Sequence, residues 1–453
     1  MADSNPTTSG TTTTTTLRDT IDGEVVLPGD EAFEKLRFAT AHEGNPAVIV
    51  RCRTTDDISR AVAFARENDL VLSVRSGGHS GAGFGTNHGG LVIDLSPFDS
   101  VEVLDAGSGL VRLGAGATWH HVATTLAEHG LAISSGDTRS VGVGGLILGG
   151  GIGWMVRHYG LTIDSVVAAE VVTAAGDVVR ASADDHPELF WALRGGGGNF
   201  GVVTSFELVA RPLRQVLAGT ITYPAGDAAS VIRAWRDAMR AAPTLVTSHI
   251  MFMPEIPGGP PPFSIGVCAP ADDVEAAQAA IQPLRALGEV LGEELSVQAY
   301  ADVLEEAHPP PPGFSPVAKS HFVNELTDDV IDALVAGVGS GGIFAQLRSL
   351  GGAVAEVAPD ATAFAARDSE ALVMAVTIDV SPEGLERFGR VREVLAPVTV
   401  GSYSNLMNTT DEDDVASIYP PDTYARLAAV KRDYDPDNTF NQNYNVVPAG
   451  ASG

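Results

Sequence analysis

Apolar and polar positions near the start of the chain follow two periods and predict a β-α-β opening. Residues 46–52 form a short apolar run, which is typical of a buried strand. Residues 57–68 repeat apolar positions every three to four residues and predict an amphipathic helix. The apolar run at residues 71–74 predicts the next strand.

The stretch from there to about residue 210 continues this mixture of strands and helices, with many glycines. The predicted elements are strands at 91–95, 110–113 and 202–208 and helices at 118–129 and 187–193. A hairpin is predicted from residues 165–173 and 178–181, because Gly176-Asp177 between them is a typical hairpin turn. Together these elements predict one α+β domain over residues 19–212.

Beyond residue 213 the helical patterns become longer and alternate with strand-like runs. The predicted helices cover residues 228–241, 274–287 and 328–338, and a strand is predicted at 372–380. This predicts a second domain, over residues 213–400, with an antiparallel sheet covered by helices on one face. Four prolines at 309–312 predict an exposed, stiff loop. A helix at 424–433, stopped by Asp435-Pro436, belongs to a distinct C-terminal segment over residues 401–450.

The charge and cysteine content exclude several classes of partner and site. The 57 Asp and Glu residues outnumber 28 Lys and Arg, and the net charge of −29 repels nucleic acid and anionic membranes. No apolar run is long enough to span a membrane, and residues 1–18 lack a secretory pattern, so we expect a disordered tail on a cytoplasmic protein. Cys52 and Cys268 predict buried thiols, and no residue set has metal-ligand spacing.

A glycine-rich turn behind the 71–74 strand carries the first candidate chemistry. It consists of Arg75, Ser76, Gly77, Gly78, His79, Ser80 and Gly81. Glycines let backbone amides approach a phosphate closely, and the histidine within the turn suggests a flavin nucleotide held covalently. On these seven residues alone, an ordinary surface turn explains the pattern equally well.

A second glycine block covers residues 141–153, with glycine at seven of thirteen positions. Backbone amides would face a bound group there, which suits a flat aromatic ring or a pyrophosphate, whereas close packing explains one or two of the glycines. Two G-x-G-x-x-G matches, starting at Gly196 and Gly337, each follow a predicted helix and precede a strand. A dinucleotide fingerprint needs the reverse order, so a nicotinamide-dependent Rossmann dehydrogenase is disfavoured.

Four segments, in chain order, resemble the berberine bridge enzyme-like family of FAD-linked oxidases, within the vanillyl-alcohol oxidase and p-cresol methylhydroxylase superfamily. They are residues 75–80, residues 136–153 continued by 157–164, residues 189–204, and Tyr434-Asp435-Pro436 with Asn438, Phe440, Asn443 and Asn445. The resemblance covers nearly the whole folded chain. It implies a two-lobed FAD-binding domain of the p-cresol methylhydroxylase type, formed by residues 19–212 and the returning segment 401–450, with a substrate domain between them.

The resemblance also implies roles for single residues. His79 matches the histidine that bonds the flavin 8α-methyl carbon, and the amides of residues 76–81 would hold the pyrophosphate. Many relatives carry a second tether, a cysteine four residues before Gly142; Thr138 stands there in this chain, which implies one covalent link. Val141 matches a position where a small residue gives dioxygen access to the flavin. The other implied cofactor-binding residues are Gly136, Gly142, Gly144, Gly145, Gly149, Gly150, Gly153, Val203, Asn443 and Asn445.

Tyr403 is the candidate catalytic residue. It aligns with a tyrosine that acts as the base in alcohol-oxidising relatives, and a packing role is equally open for it. A phenol has an ordinary pKa of about 10, so base catalysis needs nearby positive charge or hydrogen bonds that lower it. Plant relatives use a glutamate or glutamine that falls near residues 374–376, which contain neither, and this disfavours alkaloid ring closure.

The family resemblance therefore implies a FAD-dependent oxidase that oxidises a small organic substrate and reduces O2 to H2O2. The preferred reaction is oxidation of an alcohol to a carbonyl. Two alternatives stay open: oxidation of an amine at its C–N bond, and a flavoprotein dehydrogenase that uses another electron acceptor. A flavin-loaded binding protein without turnover is a third. The implied partners are the small-molecule substrate and O2, without nucleic acid or a membrane, and the sequence leaves a homodimer open.

Overall fold

The computed structural model describes residues 17–40, 42–254, 262–307, 316–339 and 342–450. Within those residues the chain forms three main sheets and the helices that cover them. No helix in this part of the chain has the length and apolar character needed to cross a membrane. The predicted loop at 309–312 and residues 1–16 of the predicted tail lie outside the described residues.

The first sheet has four strands, in the spatial order Glu24–Val26, Val48–Arg51, Leu91–Asp94 and Leu72–Arg75. The second and fourth of these run parallel to Leu91–Asp94, which lies between them. Helix Thr55–Glu67 makes the crossover and begins with a capping box between Thr54 and Asp57. The predicted β-α-β opening is confirmed. Its two strands are not neighbours in the sheet, because Leu91–Asp94 lies between them.

The second sheet has five antiparallel strands. Their spatial order is Val178–Ser182, Val166–Val172, Val202–Val209, Leu110–Gly114 and Val101–Asp105. The predicted hairpin is confirmed, because Val172 pairs with Val178 across a turn in which Gly176 has a φ of 88°. Helices Trp119–Ala127 and Pro187–Leu193 also lie where they were predicted.

The third sheet has eight antiparallel strands and forms the second domain. Their spatial order is Gly292–Ala299, Gln215–Thr222, Phe263–Pro270, Thr247–Phe252, Ile343–Ser349, Ala371–Thr377, Val317–Val323 and Thr399–Gly401. Helices Ala228–Ala241, Val274–Ile281, Asp328–Gly339 and Pro382–Leu395 share one core with alternate strand residues such as Ile250, Leu347 and Val373. The predicted two-domain α+β fold is confirmed.

Three predicted boundaries differ from those in the structure. The helix predicted at 274–287 ends at Ile281 and continues as a 3-10 turn, because Pro283 has no amide hydrogen for the α-helical ladder. The strand predicted at 372–380 ends at Thr377, whose hydroxyl donates to the carbonyl of Asp379 in the following turn. The folded chain begins before residue 19, because Leu17 is buried in the core of the first domain.

Arg157 fastens the first domain to the second. It lies in the short helix Val156–Tyr159 and its side chain is buried. The guanidinium donates to the carbonyl oxygens of Val246 at 2.9 Å and Ala242 at 3.2 Å, and also to that of Leu350. No carboxylate of the described residues pairs with it, and burial lowers its pKa. Backbone carbonyls of the second domain therefore take the place of water around this cation.

Lys431, in helix Pro421–Tyr434, holds the C-terminal segment. Its ammonium donates to the carbonyl oxygens of Asn199 at 2.7 Å and Phe440 at 2.8 Å, and to the carboxylate of Asp435 at 2.7 Å. The side chains of Lys431 and Asp435 are both fully buried. Because all three ammonium hydrogens are used, this one side chain ties the C-terminal segment to the loop that carries Asn199.

Replacing Lys431 with methionine should destabilise the protein by about 3–5 kcal/mol, because Asp435 would stay buried without its counter-charge. Lys35→Met is the matched control, since Lys35 is exposed and should change the stability by less than about 0.5 kcal/mol. Urea unfolding followed by circular dichroism measures both variants. Equal midpoints for the two would show that the buried cation does not hold the segment.

Candidate active site

One cavity of about 430 Å³ is lined by both sheets of the first domain and by the C-terminal segment. Of the residues singled out in the sequence, its wall contains Arg75, Ser76, Gly77, Gly78, His79, Ser80, Gly136, Val141, Gly142, Gly144, Gly145, Gly149, Val203, Tyr403 and Asn443. A concave site of this size suits a small molecule or part of a large cofactor. The fold therefore brings residues from all the predicted segments to one place.

The turn at residues 75–81 starts at the carboxyl end of strand Leu72–Arg75, the end of parallel strands at which ligands commonly bind. Arg75 anchors this turn to the sheet. Its buried guanidinium donates to Oδ2 of Asp94 at 2.8 Å and to the carbonyl of Phe38 at 3.2 Å. The hydroxyl of Ser76 donates to the carbonyl of Ala115 at 2.6 Å, which holds the turn against the second sheet.

Two glycine turns meet backbone to backbone beside the cavity. A Cβ atom built on Gly77 would lie 2.3 Å from the amide nitrogen of Gly142, and one on Gly142 would lie 2.2 Å from that of Gly77. Neither position can carry a side chain unless one turn moves. Gly145 differs, because a Cβ there has no neighbour within 4 Å and would extend into the open cavity. The block at 141–153 folds around a short helix, Val143–Leu148, and not as a strand.

Four predicted cofactor residues, Gly81, Gly150, Gly153 and Asn445, do not line the cavity. Close packing against protein accounts for the three glycines among them. The nearest contacts of a Cβ would be the Met407 carbonyl at 2.7 Å for Gly81, the Phe364 ring at 2.8 Å for Gly150, and the Ser135 carbonyl at 1.4 Å for Gly153. These glycines shape the loops around the cavity and leave the ligand surface to their neighbours.

His79 lines the cavity with a half-buried imidazole. Its Nε2 atom lies 3.0 Å from the hydroxyl oxygen of Ser140, and the backbone of Ser140 also forms a hydrogen bond with the ring. Burial lowers the pKa of His79, so the ring is uncharged at neutral pH. Ser140 therefore holds an uncharged imidazole at the cavity wall.

Tyr403 is almost fully buried, and its hydroxyl oxygen receives two hydrogen bonds. The amide of Gly151 donates at 3.2 Å and Nδ2 of Asn405 donates at 3.1 Å. Burial raises the pKa of Tyr403 and outweighs these hydrogen bonds, the nearby amide of Ile152 and the positive Arg348, which lower it. The structure thus supplies the expected hydrogen bonds and positive charge, but the net shift of this pKa is upward.

The C-terminal segment contributes polar groups at the cavity wall. Nδ2 of Asn443 donates to the carbonyls of Gly198 at 3.2 Å and Phe440 at 3.0 Å, whereas its Oδ1 is buried and has no partner among the described residues. The hydroxyl of Tyr444 is likewise buried without a partner there. Buried polar atoms normally find partners, so these two suit a polar ligand. Sequence reasoning missed Tyr444, although it lies beside the predicted Asn443.

A charged cluster adjoins the cavity where the sheet of the second domain faces it. Arg348 pairs with Asp137, which lines the cavity and is partly exposed. His249 lies beside Trp154, with ring centroids 4.6 Å apart. Burial lowers the pKa of His249 to about 3, so this ring is uncharged. Sequence reasoning did not find this cluster, because its members come from segments far apart in the chain.

Gln346 lies beside residues 374–376, the position at which plant relatives carry a glutamate or glutamine. Residues 374–376 contain neither Glu nor Gln, but Gln346 lies directly across from Met374 in the sheet. Both side chains point away from the helices, because their neighbours Ala345 and Val373 belong to the helix-facing core. Nε2 of Gln346 lies 3.2 Å from the sulfur of Met251 on the next strand.

The residues of the cavity fit a flavin dinucleotide. The backbone without side chains at Gly77, Gly142 and Gly145 permits close approach of a phosphate. Leu146, Leu148 and Ile152 give part of the wall an apolar surface that suits a flat ring. No group of three or more His, Cys, Asp or Glu side chains in the described part of the chain is placed to hold a metal ion.

Comparison with known families and proteins gives consistent matches. Residues 46–182 match the family described as FAD binding domain, and residues 402–447 match berberine and berberine like. The (R)-6-hydroxynicotine oxidase of Paenarthrobacter nicotinovorans is 33% identical, with 95% of this chain and 98% of that protein covered. The crystal structure of 6-hydroxy-D-nicotine oxidase from Arthrobacter nicotinovorans superposes with a TM-score of 0.80 at 30% identity, covering 94% and 98% of the two chains. The carbohydrate oxidase of Microdochium nivale superposes with a TM-score of 0.85 at 26% identity, covering 96% and 100%.

Gly142→Ala should lower both the stability and the flavin content, because the new methyl group would meet the Gly77 backbone at 2.2 Å. Overpacking of this kind costs about 1–3 kcal/mol. Gly145→Ala is the matched control for stability: its methyl group has open space, and alanine in a helix favours folding by about 0.5–1 kcal/mol. Thermal unfolding and the ratio of flavin to protein absorbance measure both. Gly142→Ala with the stability and flavin content of the unmodified protein would contradict the close contact of the two turns.

Proposed function

The chain belongs to the berberine bridge enzyme-like family of FAD-linked oxidoreductases, and from this premise we propose that it is an oxidase with FAD linked to His79. Its substrate is a small organic alcohol, which it oxidises to a carbonyl while O2 is reduced to H2O2. One observation carries the proposal: a single cavity contains both the uncharged imidazole of His79 and the hydroxyl of Tyr403. FAD, once bound, accepts two electrons from the substrate and passes them to O2.

The glycine turns at residues 75–80 and 141–145 would hold the pyrophosphate through backbone amides. Asn443 and Tyr444 would offer their partnerless polar atoms to the cofactor. Val141 lines the same cavity and, as a small residue, would leave O2 access to the flavin. This access is the reason for preferring an oxidase over a dehydrogenase that uses another acceptor.

The side chains around His79 support a single tether. Ser140 occupies Nε2, so Nδ1 is the nitrogen that remains for the covalent bond. Thr138 lines the cavity where many relatives carry a cysteine, and its hydroxyl is no substitute for a thiolate nucleophile. Cys52 and Cys268 are both buried and do not line the cavity.

Tyr403 would act on the substrate side of the cavity. Its hydroxyl would take the proton from a substrate alcohol, which is the role of a general base. The substrate and O2 would be its small-molecule partners. The net charge of −29 disfavours nucleic acid and anionic membrane surfaces as partners.

Oxidation of an amine at its C–N bond is the second candidate. It is favoured by the similarity over 95% of this chain to a protein named (R)-6-hydroxynicotine oxidase. The carboxylate of Asp137 on the cavity wall would also attract a cationic amine, although Arg348 already pairs with it. A peroxide-coupled screen of alcohols and amines separates the two candidates, since each predicts turnover of one class only.

His79→Ala should abolish covalent flavin attachment and leave folding intact, because the imidazole is half-buried at the cavity wall. After acid precipitation, the yellow colour should stay in the pellet of the unmodified protein and move to the supernatant for the variant. His88→Ala is the matched control, since His88 is exposed and does not line the cavity. A colourless pellet from the unmodified protein would refute the linkage.

Tyr403→Phe should reduce kcat by about a hundredfold to ten-thousandfold, the usual contribution of a general base. The flavin content should not change, because the ring still packs near Phe322, whose centroid lies 5.9 Å away. Peroxide release on the best substrate from the screen measures the effect. Full turnover by Tyr403→Phe would show that another group accepts the proton.

A further inference from the structure

The hydroxyl oxygen of Tyr403 receives two hydrogen bonds, and no described residue accepts the hydrogen of its own O–H group. Nδ2 of Asn405 donates at 3.1 Å and the amide nitrogen of Gly151 at 3.2 Å. A hydroxyl oxygen has two lone pairs, and both are used in the neutral phenol. The O–H bond therefore points away from both donors, towards the cavity that Tyr403 lines.

We propose that Asn405 and the Gly151 amide form a donor pair that positions Tyr403 and stabilises its phenolate form. The inference rests on the proposed function, in which Tyr403 is the base. In the transfer, the O–H bond of the substrate breaks and the O–H bond of tyrosine forms, while the negative charge moves from Tyr403 to the substrate oxygen. Hydrogen bonds to a charged oxygen are stronger than those to a neutral one, so the pair favours the state that can accept a proton.

The position of Leu146 fixes which end of the Asn405 amide faces Tyr403. The carbonyl of Leu146 lies 3.2 Å from Nδ2 of Asn405 and can only accept a hydrogen bond. The nitrogen must therefore lie between Leu146 and Tyr403, with one hydrogen for each. Gly149 leaves the space for this amide, because a Cβ there would lie 2.4 Å from Oδ1 of Asn405.

The second donor is fixed by backbone geometry. Gly151 has a φ of 80°, which glycine adopts without strain, and a Cβ there would lie 2.1 Å from the hydroxyl oxygen of Thr162. Ser320 holds Tyr403 from the other side: its hydroxyl donates to the tyrosine carbonyl at 3.0 Å and accepts from the tyrosine amide at 2.8 Å. The phenol and both donors thus have fixed relative positions.

The charged groups around Tyr403 are already paired. Arg348 faces it from the sheet and helps to lower its pKa, but this guanidinium pairs with Asp137. Beyond Phe364, Arg367 donates to both carboxylate oxygens of Asp164 at 2.8 Å. The donor pair therefore contacts the phenol oxygen directly, whereas Arg348 acts on it only through its charge.

Strand Val317–Val323 also packs against Tyr403 and carries two titratable residues. Lys319 and His321 flank Ser320, so their side chains point to the opposite face of the strand. Lys319 pairs with Asp414, and burial lowers the pKa of His321 to about 4, which leaves that ring uncharged. Neither residue competes with the donor pair for the phenol.

Two substitutions at Asn405 test the pair. Asn405→Asp keeps the size and loses the donor, and Asn405→Leu loses the donor without adding charge. The rate constant kcat/KM rises with pH as the base ionises, and loss of a donor raises the pKa of Tyr403. In both variants, the pH at which kcat/KM reaches half its maximum should therefore increase by about one to two units. At any pH below that midpoint, kcat/KM should be roughly tenfold to a hundredfold lower than in the unmodified protein. A shift in Asn405→Asp alone would reflect the added charge and would overturn the proposal.

Asn408→Asp is the matched control, because Asn408 lies on the same segment and bonds only to the backbone at Ala318 and Pro316. The pH midpoint of kcat/KM should not change in Asn408→Asp. A shift equal to that of the Asn405 variants would overturn the proposal. NMR of protein labelled at the tyrosine Cζ atoms gives a second readout without substrate, in which the Tyr403 signal is the one of eight that Tyr403→Phe removes. Its titration should move to higher pH in Asn405→Leu, and an unchanged titration would overturn the donor pair.

The two proposals fail in different ways. Full turnover by Tyr403→Phe would overturn the base assignment on which the donor pair rests. The donor pair alone would be overturned if Tyr403→Phe lost turnover while the pH midpoint of kcat/KM stayed unchanged in both Asn405 variants.

Discussion

The backbone contact between Gly77 and Gly142 is the constraint on which the cavity depends. The turn of Gly77 follows strand Leu72–Arg75 of the four-stranded sheet, and Gly142 precedes the short helix Val143–Leu148, which packs on the five-stranded sheet. The lobes can approach this closely only because neither residue has a side chain. The same absence of side chains exposes backbone amides beside the cavity, which are the groups that the proposed pyrophosphate site requires.

Two buried cations, Arg157 and Lys431, join segments of the fold outside the cavity. Arg157 is surrounded by carbonyl oxygens of the second domain, and Lys431 joins the C-terminal segment to the loop of Asn199. Burial lowers the pKa of both side chains, and only Lys431 has a carboxylate partner, Asp435, within the described residues. Each cation replaces the hydrogen bonds it would make to water with several fixed carbonyls, which is what makes such burial tolerable. Lys431 therefore fixes the C-terminal part of the cavity wall, and Arg157 fixes the second domain against the first.

His79 and Tyr403 meet different environments at the cavity wall. His79 is uncharged because burial disfavours its cation and Ser140 occupies one ring nitrogen. Tyr403 is more deeply buried, yet its oxygen faces two donors that favour the anion over the neutral phenol. The proposed tether requires the uncharged imidazole, and the proposed base requires the two donors, because burial alone raises the pKa of Tyr403. In a protein with a net charge of −29, this local neutrality comes from the buried environment and not from composition.

The sequence by itself determined the local elements, the order of the domains and the family, because periodicity, turn chemistry and glycine-rich motifs act over a few neighbouring residues. The hairpin at Gly176 and the turn around His79 were predictable for this reason. Only the tertiary structure decided which glycines face the cavity: Gly145 does, whereas Gly81 and Gly150 pack against the distant residues Met407 and Phe364. It also decided that Asn405 donates to Tyr403 and that Gln346 lies across from Met374. These relations join residues that only the folded sheet and loops bring together, and no local pattern encodes them.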